Sequence, residues 1–295
     1  MKSSTWLMCA LLAFALLGCA SSPDSSGGQI SGPVTSIQNK GSDTIVNLAL
    51  AWAEAYRQVR PEVSISVTGG GSGTGITALA NNTVDIANAS RAIKPEEITA
   101  MQAKGVDPLE FVVARDAIAV IVNPYNPVER LTLQQISAIY SGEIVNWSQV
   151  GGEDRPIVRL SRETNSGTHV YFLEEVLRLG DSENKTFFSA NTLLLPSSEG
   201  ITAEVRDNPN AIGYDGLGYV TPEVKVLAIS ETTGGIYYYP SVDTVNDLTY
   251  PIARDLYMYT AGEPSETEQA YLDWILSAPA QAIVRELGFV PVLGQ

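Results

Sequence analysis

The sequence predicts an α/β fold with mostly parallel strands, and two observations lead to this prediction. Short runs of β-branched and aromatic residues alternate with segments in which apolar residues recur every three or four positions. Of the 295 residues, 44% of them hydrophobic, roughly 260 remain for folding once an N-terminal targeting segment and tether are set aside, and this length suits either one large α/β domain or two lobes of about 130 residues each. Such a composition excludes a disordered chain, a coiled coil and collagen.

The individual elements follow from local patterns of apolar and turn-forming residues. Near the start, a helix is predicted because apolar residues keep one helical face until Pro61 ends it. The residues on that face are Ile45, Leu48, Ala49, Trp52, Tyr56 and Val59. The β-forming run 116–123 ends at an Asn-Pro turn, which makes it a candidate crossover between lobes.

The complete set of predicted elements alternates strands with helices. In order, these are strand 34–39, the helix ending before Pro61, strand 63–67, helix 76–80, strand 84–89, a helix opened by Pro95, strand 116–123, helix 131–140, strand 157–160, a helix following the turn 161–168 and running through Leu179, helix 201–206, strands 211–214, 224–229 and 250–260, and helix 266–287 broken near Pro279. This order predicts a sheet covered by helices rather than a helical bundle or a β-sandwich.

The N-terminus is predicted to be a targeting segment. A positive charge at Lys2 precedes about twelve apolar residues, which are too few to span a bilayer as a helix. Because this run ends in a sequence that resembles a bacterial lipobox, residues 1–18 are predicted to be a lipoprotein signal peptide and Cys19 the lipidated residue. An ordinary secretory peptide with an incidental Cys19 is the alternative. Residues 19–33, rich in Ser, Gly and Pro, are predicted to be a flexible tether.

The residue content limits the chemistry of the exported chain. Its cysteines are Cys9, inside the predicted leader, and Cys19, so an internal disulfide or a thiolate metal site is not expected. A single histidine, His169, excludes a multi-histidine metal site and argues against a Ser-His-Asp triad. We therefore predict no catalytic residues, no metal and no cofactor, and expect binding through hydrogen bonds and charge.

The net charge and the glycine-rich turn both argue against nucleic acids and nucleotides. A formal charge of −15 disfavours a nucleic-acid partner. A small anion remains possible, because surface carboxylates beyond a Debye length of about 8 Å are largely screened from a closed cleft. The turn at 69–75 is followed by Ile76 and Thr77, where a P-loop needs Lys and then Ser or Thr, and no register fits the dinucleotide fingerprint.

Three polar turns are candidate anion sites because each leads from a strand into a helix. They lie at 41–44, 69–75 and 161–168, and they are rich in Ser, Thr and Gly. A helix N-terminus presents backbone N–H groups and about half a positive charge, and the hydroxyl groups add donors without adding charge. The alternative role of each turn is ordinary helix capping.

Two arginines lie close to these turns. Arg162 precedes Ser166 by four residues, so its planar guanidinium can reach an oxyanion bound at the helix start. The alternative role of Arg162 is a salt bridge with Glu163 or another acid. Arg91 follows Ser90 and allows the same two interpretations.

Several segments together carry a family resemblance that covers nearly the whole chain behind the leader. They are 41–44, 70–75, 84–86, Ser90-Arg91, 117–124, 144–147, 162–168 and 212–219. In these segments the sequence resembles the phosphate-binding proteins of bacterial and archaeal ABC phosphate importers, which have the type II periplasmic-binding-protein fold.

The resemblance implies a two-lobed α/β protein with phosphate in the cleft between the lobes. Lobe 1 would comprise 34–117 plus 250–295, and lobe 2 would comprise 118–249. The positions that match the ligand contacts of the family are Ser42, Asp43, Thr44, Ser72, Arg162, Ser166, Gly167 and Thr168. The resemblance thus implies a site of hydroxyls, backbone amides and one arginine.

The chain departs from the family pattern at Arg91. Well-known members have an aspartate at this position, which accepts the proton of hydrogen phosphate. Sulfate has no such proton, and the unpaired acceptor would disfavour it in a dry cleft. Other apparent members also have Ser-Arg here, so phosphate binding is still expected and Arg91 stays a candidate ligand residue. Asp116 or Asp43 is predicted to supply the acceptor.

From these inferences we expect an exported lipoprotein of the cell envelope that binds inorganic phosphate with high affinity. It would lie in the periplasm or on the outer face of the cytoplasmic membrane, attached through its N-terminal lipid, and deliver phosphate to ABC permease subunits. We expect a monomer without enzyme activity. The alternatives are another tetrahedral oxyanion such as sulfate, molybdate or arsenate, a secreted phosphatase, and an adhesin or sensor domain with the same fold.

Overall fold

The computed structural model of the protein describes residues 35–292. The predicted signal peptide, the tether with Cys19, and Val34 of the first predicted strand lie outside the described residues. Between residues 35 and 292, no helix combines the length and the apolar character needed to cross a bilayer.

The described residues form eleven strands and nine α-helices. The strands are β1 Thr35–Gly41, β2 Val63–Thr68, β3 Ile86–Ala89, β4 Leu109–Val122, β5 Arg130–Thr132, β6 Val158–Arg162, β7 Leu193–Leu195, β8 Ala211–Gly216, β9 Lys225–Val226, β10 Ala228–Ser230 and β11 Ala253–Thr260. The α-helices are α1 Asp43–Val59, α2 Ser72–Ala80, α3 Pro95–Gln102, α4 Leu133–Ser141, α5 Gly167–Tyr171, α6 Ser198–Asp207, α7 Val242–Asn246, α8 Glu266–Ile275 and α9 Ala278–Glu286. A π-helical segment, Phe172–Leu177, continues α5, and short 3-10 helices lie at Trp147–Val150 and Leu217–Tyr219.

Nine strands join in one sheet with the order β2–β1–β3–β11–β4–β8–β6–β7, and β9 pairs with the end of β4 on the edge opposite β8. The strands near both edges of the sheet pair in parallel: β1 runs parallel to β2 and β3, and β6 runs parallel to β7 and β8. At the centre, β11 and β4 run antiparallel to their neighbours. The α/β prediction is confirmed, but the pairing is mixed rather than mostly parallel.

Strand β4 connects the two parts of this sheet. Its residues Leu109–Ala117 pair with β11, whereas Ile118–Val122 pair with β8. The stretch Asp116–Val122 is fully buried, so it has the unbroken β-forming pattern that predicted a strand and a crossover. The preceding residues of β4 include the partly exposed Glu110 and Arg115, which is why the sequence pattern missed its first half.

Helix α1 covers the sheet with its predicted apolar face. Ile45, Leu48, Ala49 and Trp52 are fully buried in it, and burial of each large apolar side chain stabilises the fold by about 1.5–3 kcal/mol. Val59, predicted to continue that face, is 54% exposed because it is the last residue of the helix.

Other differences from the predicted elements have local causes. Helix α2 starts at Ser72, four residues earlier than predicted, because the glycine-rich turn itself supplies the first helical turn. The predicted strand 224–229 is two strands, separated at Leu227. The predicted break near Pro279 is confirmed, because α8 ends at Ile275 and α9 begins with Pro279 in its first turn. Strand β7 and helix α7 had no sequence signal, since both are short and partly exposed.

Candidate functional site

The start of α1 presents three of the predicted ligand residues. Ser42 is buried and precedes the helix, but its side chain makes no capping hydrogen bond. Thr44 is also buried, and its Oγ1 lies 2.8 Å from Oγ1 of Thr168. The side chain of Asp43 accepts hydrogen bonds from the backbone N–H of Gly70 at 2.8 Å and from Arg162 Nη2 at 2.8 Å. The hydroxyls of this turn are thus not used for helix capping.

The start of α2 faces the start of α5. Gly71 has a φ of 90°, and a Cβ at this position would lie 2.6 Å from the carbonyl oxygen of Asn165, so both the backbone conformation and the close approach require glycine. The next residue, Ser72, is fully buried, and its Oγ accepts a hydrogen bond from the backbone N–H of Ser90 at 3.0 Å. A Cβ on Gly167 would lie 2.3 Å from that Oγ, so the two helix starts are in direct contact.

At the end of β6, Arg162 holds a guanidinium inside this cluster. Its side chain is 1% exposed. Nη1 donates to Ser198 Oγ at 2.7 Å, and Nη2 donates to Asp43 Oδ2 at 2.8 Å and to the carbonyl of Pro196 at 2.9 Å. The acid paired with Arg162 is Asp43 rather than Glu163, and Asp43 is itself a predicted site residue. The salt bridge of Arg162 and its predicted ligand role therefore involve the same part of the structure.

Helix α5 brings Ser166, Gly167 and Thr168 to the same cluster. Ser166 Oγ accepts from the backbone N–H of Thr168 at 3.2 Å, so this serine does cap its helix. Gly167 and Thr168 are buried. The α-helix is five residues long, and Phe172–Leu177 extends it as a π-helix, whose wider turns arise at this strand-to-helix corner.

A second buried arginine, Arg254 on β11, lies among these groups and was not predicted. Its Nε and Nη2 donate to Asp116 Oδ2 at 3.2 and 2.8 Å, and its Nη2 also donates to Thr168 Oγ1 at 2.9 Å. Asp116 is fully buried, and its Oδ1 accepts from the backbone N–H of Leu217 at 3.0 Å. Burial raises the pKa of Asp116, and the charge of Arg254 opposes that rise.

The structure places Arg91 beside the cluster but engages its guanidinium elsewhere. Nη1 and Nη2 each donate to one carboxylate oxygen of Glu97 at 2.7 Å, a bidentate ion pair at the start of α3. Burial alone would raise the pKa of Glu97, but hydrogen bonds from Arg91 and from the backbone N–H of Lys94 lower it. Within residues 35–292, Arg91 Nε is buried and has no hydrogen-bond partner, so a ligand role for Arg91 would use this atom.

A buried carboxylate, Asp215, lies behind Arg162 and was also not predicted as a site residue. Its Oδ1 accepts from Ser198 Oγ at 2.9 Å and from the backbone N–H of Gly216 at 2.8 Å. Burial raises the pKa of Asp215 to about 6, against the opposing charge of Arg162. Because Ser198 bonds to both Arg162 and Asp215, it links the predicted ligand arginine to this carboxylate.

A cavity of about 340 Å³ opens next to the cluster. Its lining includes Arg91, Lys94, Tyr171, Glu174, Glu175 and Arg254. Lys94 Nζ lies 2.9 Å from Glu174 Oε1, an ion pair between α3 and the π-helix. The cavity therefore connects the buried arginine Arg254 to the protein surface along a partly charged wall.

Together these elements form a donor-rich pocket wall that is suited to an oxyanion. Backbone N–H groups at three helix starts, several hydroxyls and two guanidinium groups converge, while the carboxylates present are bound to the arginines or to backbone N–H groups. Among residues 35–292 there is no group of three or more His, Cys, Asp or Glu side chains able to hold a metal ion. The arrangement is that of a binding site.

Sequence reasoning missed Ser90, Ser198, Asp215 and Arg254 as members of the cluster. Each reaches it through contacts between segments far apart in the chain; Arg254 and Thr168, for example, are 86 residues apart. One signal was available. The dipeptide Arg115-Asp116 lies at the start of the predicted strand 116–123 and Arg254-Asp255 lies within the predicted strand 250–260, and such oppositely charged residues are typical of cross-strand ion pairs.

The chain is similar to known proteins over most of its length. The model of the PBP superfamily domain matches residues 27–279. The phosphate-binding protein PstS of Pseudomonas aeruginosa is 33% identical over 280 residues, which cover 89% of this chain and 84% of that protein. PstS of Bacillus subtilis is 31% identical over 304 aligned residues, covering 99% and 95% of the two chains.

Solved structures agree with this similarity. A Clostridium perfringens protein assigned as a phosphate ABC transporter substrate-binding protein, crystallised with bound phosphate, superposes with a TM-score of 0.78 at 32% identity. The match covers 88% of this chain and 100% of that one. Fold and site therefore define a two-lobed α/β binding protein. The chain belongs to the PBP superfamily and, within it, to the PstS-like phosphate-binding proteins.

Proposed function

We propose that this protein binds inorganic phosphate between its two lobes, outside the cytoplasmic membrane, and delivers it to the membrane subunits of an ABC phosphate permease. The observation that carries the proposal is the convergence of the starts of α1, α2 and α5, which contact one another, together with the buried Arg162 that pairs with Asp43 at the start of α1. The relatives named as phosphate-binding proteins support phosphate as the ligand. Binding makes and breaks no covalent bond, so the protein is not an enzyme in this proposal.

The lobes are proposed to be 34–117 plus 250–295 and 118–249. The partner change of β4 between Ala117 and Ile118 supports the first boundary. The core packing follows this division in large part: one hydrophobic cluster contains Ile37, Trp52 and Leu256, and a separate one contains Ile136, Phe172 and Tyr214. Near the strands that join the lobes the clusters cross the boundary, since Tyr250 and Ile252 of proposed lobe 1 pack in the second cluster.

Several hydrogen bonds join these two proposed lobes around the site. Asn165 Nδ2 donates to the carbonyl of Gly70 at 2.9 Å, and the hydroxyl of Tyr219 donates to the carbonyl of Asp43 at 2.6 Å. Such contacts form only when the lobes approach each other. Closure would exclude water from the site, and each hydrogen bond to an anion would then act in a lower dielectric medium. Opening at the permease would reverse both effects and release the ligand.

Of the two carboxylates proposed to accept the proton of hydrogen phosphate, the geometry favours Asp43. Asp43 is 20% exposed and shares Arg162 with the proposed anion position. Asp116 is fully buried, and Arg254 lies between it and the threonine hydroxyls. An acceptor beside the ligand would favour hydrogen phosphate, whose proton it can accept. Sulfate has no such proton, so the acceptor would stay unpaired in a dry site, which costs free energy. If Asp43→Asn left the phosphate-to-sulfate preference unchanged, this assignment of the acceptor would be wrong.

The role of Arg162 provides a direct test of the site. In equilibrium dialysis with labelled phosphate, Arg162→Gln should weaken binding at least about tenfold, because charge-assisted hydrogen bonds contribute about 1.5–3 kcal/mol each. The matched control is Arg206→Gln, an exposed arginine of the same proposed lobe that pairs with Asp207. Equal losses for the two variants would contradict the proposed site. Competition by sulfate, molybdate and arsenate in the same assay separates phosphate from other oxyanions.

A secreted phosphatase is the rival in the enzyme class. His169 packs against Phe188 with ring centroids 4.6 Å apart, and its Nδ1 lies 3.0 Å from Ser161 Oγ in the core of the proposed lobe 2. Burial lowers the pKa of His169, which fits a neutral core histidine. Release of phosphate from a phosphomonoester by purified protein, with or without added divalent metal ions, would contradict the binding proposal.

We also propose that the protein is a monomeric lipoprotein, held at the membrane through Cys19 after removal of residues 1–18. The lipobox-like sequence and the Ser- and Gly-rich residues behind it support this anchor. Cys19→Ala should abolish incorporation of labelled fatty acid and move the exported protein from the membrane fraction to the soluble fraction. Unchanged fractionation would exclude the lipid anchor, and light scattering of the purified chain tests the monomer.

A further inference from the structure

Arg254 is tied to two proposed ligand hydroxyls as well as to its ion-pair partner. It is 6% exposed. Nη2 donates to Thr168 Oγ1 at 2.9 Å and lies 3.4 Å from Thr44 Oγ1, while Nη1 donates to the carbonyl of Ser90 at 3.1 Å. Thr44 and Thr168 belong to different proposed lobes, so one guanidinium contacts both sides of the cleft.

The geometry of the Arg254–Asp116 ion pair indicates that Arg254 has a further role besides linking β4 and β11. An arginine whose only function is to pair with a carboxylate commonly uses both carboxylate oxygens in a bidentate fork. Arg254 instead directs Nε and Nη2 to the single oxygen Oδ2 of Asp116, while Oδ1 accepts from the backbone N–H of Leu217. The N–H groups on the other side of the guanidinium can therefore donate to the carbonyl of Ser90 and to the threonine hydroxyls.

A neighbouring ion pair on the same strands shows the contrast. Asp116 is opposite Arg254 in the register of β4 and β11, and Arg115 is opposite Asp255 in the next position. Because successive side chains of a strand point to opposite faces, the two pairs lie on opposite faces of the sheet. Arg115 and Asp255 are 39% and 38% exposed, whereas Arg254 and Asp116 are 2% and 0% exposed. Asp255 also lines the cavity next to the site, but only the inner pair contacts the proposed ligand hydroxyls.

A guanidinium in this position determines the direction of the hydroxyl hydrogens. Arginine only donates hydrogen bonds, so Oγ1 of Thr168 accepts from Arg254 and its own hydrogen points elsewhere. Thr44 Oγ1, 2.8 Å from Thr168 Oγ1, lies next to the same nitrogen. Because one hydroxyl of this pair donates to the other, the pair has one hydrogen left to donate to an acceptor-only oxyanion oxygen beside it. The guanidinium end of the Arg254–Asp116 ion pair is the end next to these hydroxyls, which favours an anion there over a neutral ligand.

We propose that Arg254 is a positioning residue of the anion site: it orients the hydrogen-bonded hydroxyl pair of Thr44 and Thr168 so that the pair donates to the ligand, and it links the pair to the strands that join the lobes. This role rests on the proposed function of phosphate binding. The ring of Tyr171, from proposed lobe 2, lies 5.6 Å from the Arg254 guanidinium and adds a second contact across the cleft. Arg254 therefore contributes to affinity in the closed form, through Thr168.

The test is a calorimetric double-mutant cycle with phosphate as the probe. Arg254→Gln should weaken binding about 10- to 100-fold, and Arg254→Lys should restore part of the loss. The control Arg115→Gln should stay within about twofold of wild type, since exposed ion pairs contribute little. In a Thr168→Val background, Arg254→Gln should cost clearly less than in wild type, because the hydroxyl that Arg254 orients is then absent.

The possible results separate this inference from the proposed function. If the wild-type protein fails to bind phosphate, the proposed function fails, and this inference fails with it. If the wild type binds and Arg254→Gln binds equally well, only the inference is overturned. Additive losses in the cycle would also overturn it, because they would show that Arg254 does not act through Thr168. Should Arg254→Gln not fold, the double variant with Asp116→Asn removes the unpaired buried carboxylate and is measured in its place.

Discussion

Replacement of Gly167 by alanine tests whether the lobes close directly over the ligand position. The added Cβ would lie 2.3 Å from Ser72 Oγ and 2.4 Å from Ser90 Oγ. Both distances are about 1 Å shorter than an ordinary contact of 3.4 Å. Ser72 and Ser90 belong to proposed lobe 1 and Gly167 to proposed lobe 2, so the overlap arises only in the closed form. In an open form the alanine meets no such obstacle.

The expected loss follows from the cost of overpacking. An extra methyl group in a well-packed site costs about 1–3 kcal/mol, which corresponds to a fall in phosphate affinity of about 5- to 150-fold. Because the open form escapes the overlap, the melting temperature of the ligand-free Gly167→Ala protein should match that of the wild type. The stabilisation that saturating phosphate gives should be smaller in the variant.

Gly73 provides the matched control. It lies in the first turn of α2, and a Cβ there would be 3.5 Å from the carbonyl oxygen of Asn165, an ordinary contact across the same interface. Gly73→Ala should therefore bind phosphate as the wild type does, and calorimetry measures both variants. The reasoning is refuted if Gly167→Ala binds phosphate like the wild type. It is also refuted if the free energy of unfolding of the ligand-free variant falls by as much as its free energy of phosphate binding.

Two further predictions concern charged groups near the site. The pKa of Asp215 is raised by burial to about 6, so the folded protein binds an extra proton, and stability falls by roughly 3 kcal/mol as pH rises from about 4 to about 6. Asp215→Asn removes this titrating carboxyl group, so urea unfolding from pH 4 to 7 should show the variant gaining stability relative to wild type as pH rises. A difference in the free energy of unfolding that stays constant over this pH range would contradict the prediction. The ion pair between Lys94 and Glu174 joins the proposed lobes at 2.9 Å, and Glu174→Gln should raise the phosphate Kd by no more than about fivefold, an effect that high salt removes. Glu62→Gln, which breaks a similarly exposed pair with Arg60 within proposed lobe 1, should leave the Kd unchanged, and equal effects of the two variants would exclude a role for Lys94–Glu174 in closure.

The sequence predicted most of the helices and strands because their signals are local. The apolar face of α1 and the buried half of β4 each occupy one continuous segment, so periodicity was sufficient to find them. The three polar turns were found for the same reason, since a helix start is defined by a few neighbouring residues. Short exposed elements such as β7 bury too little apolar surface to leave a pattern.

The remaining part of the site depends on contacts between distant segments. Arg254 reaches Thr44 across 210 residues, and no periodic pattern reports such a contact. Arg91 shows the converse case. Its position suggested a ligand, but its guanidinium is engaged by Glu97, only six residues away, and the sequence alone did not distinguish the two partners. Which charges pair is decided by the tertiary arrangement.

Calorimetric titration of the chain from Ile30 onward tests the central claim most directly. The protein is first freed of carried-over ligand by partial unfolding and refolding, and it is then titrated with phosphate and separately with sulfate. The account predicts tight one-to-one phosphate binding and a negligible response to sulfate. A folded, ligand-free protein that binds no phosphate would contradict the proposed function, although its membership of the family and its fold would stand.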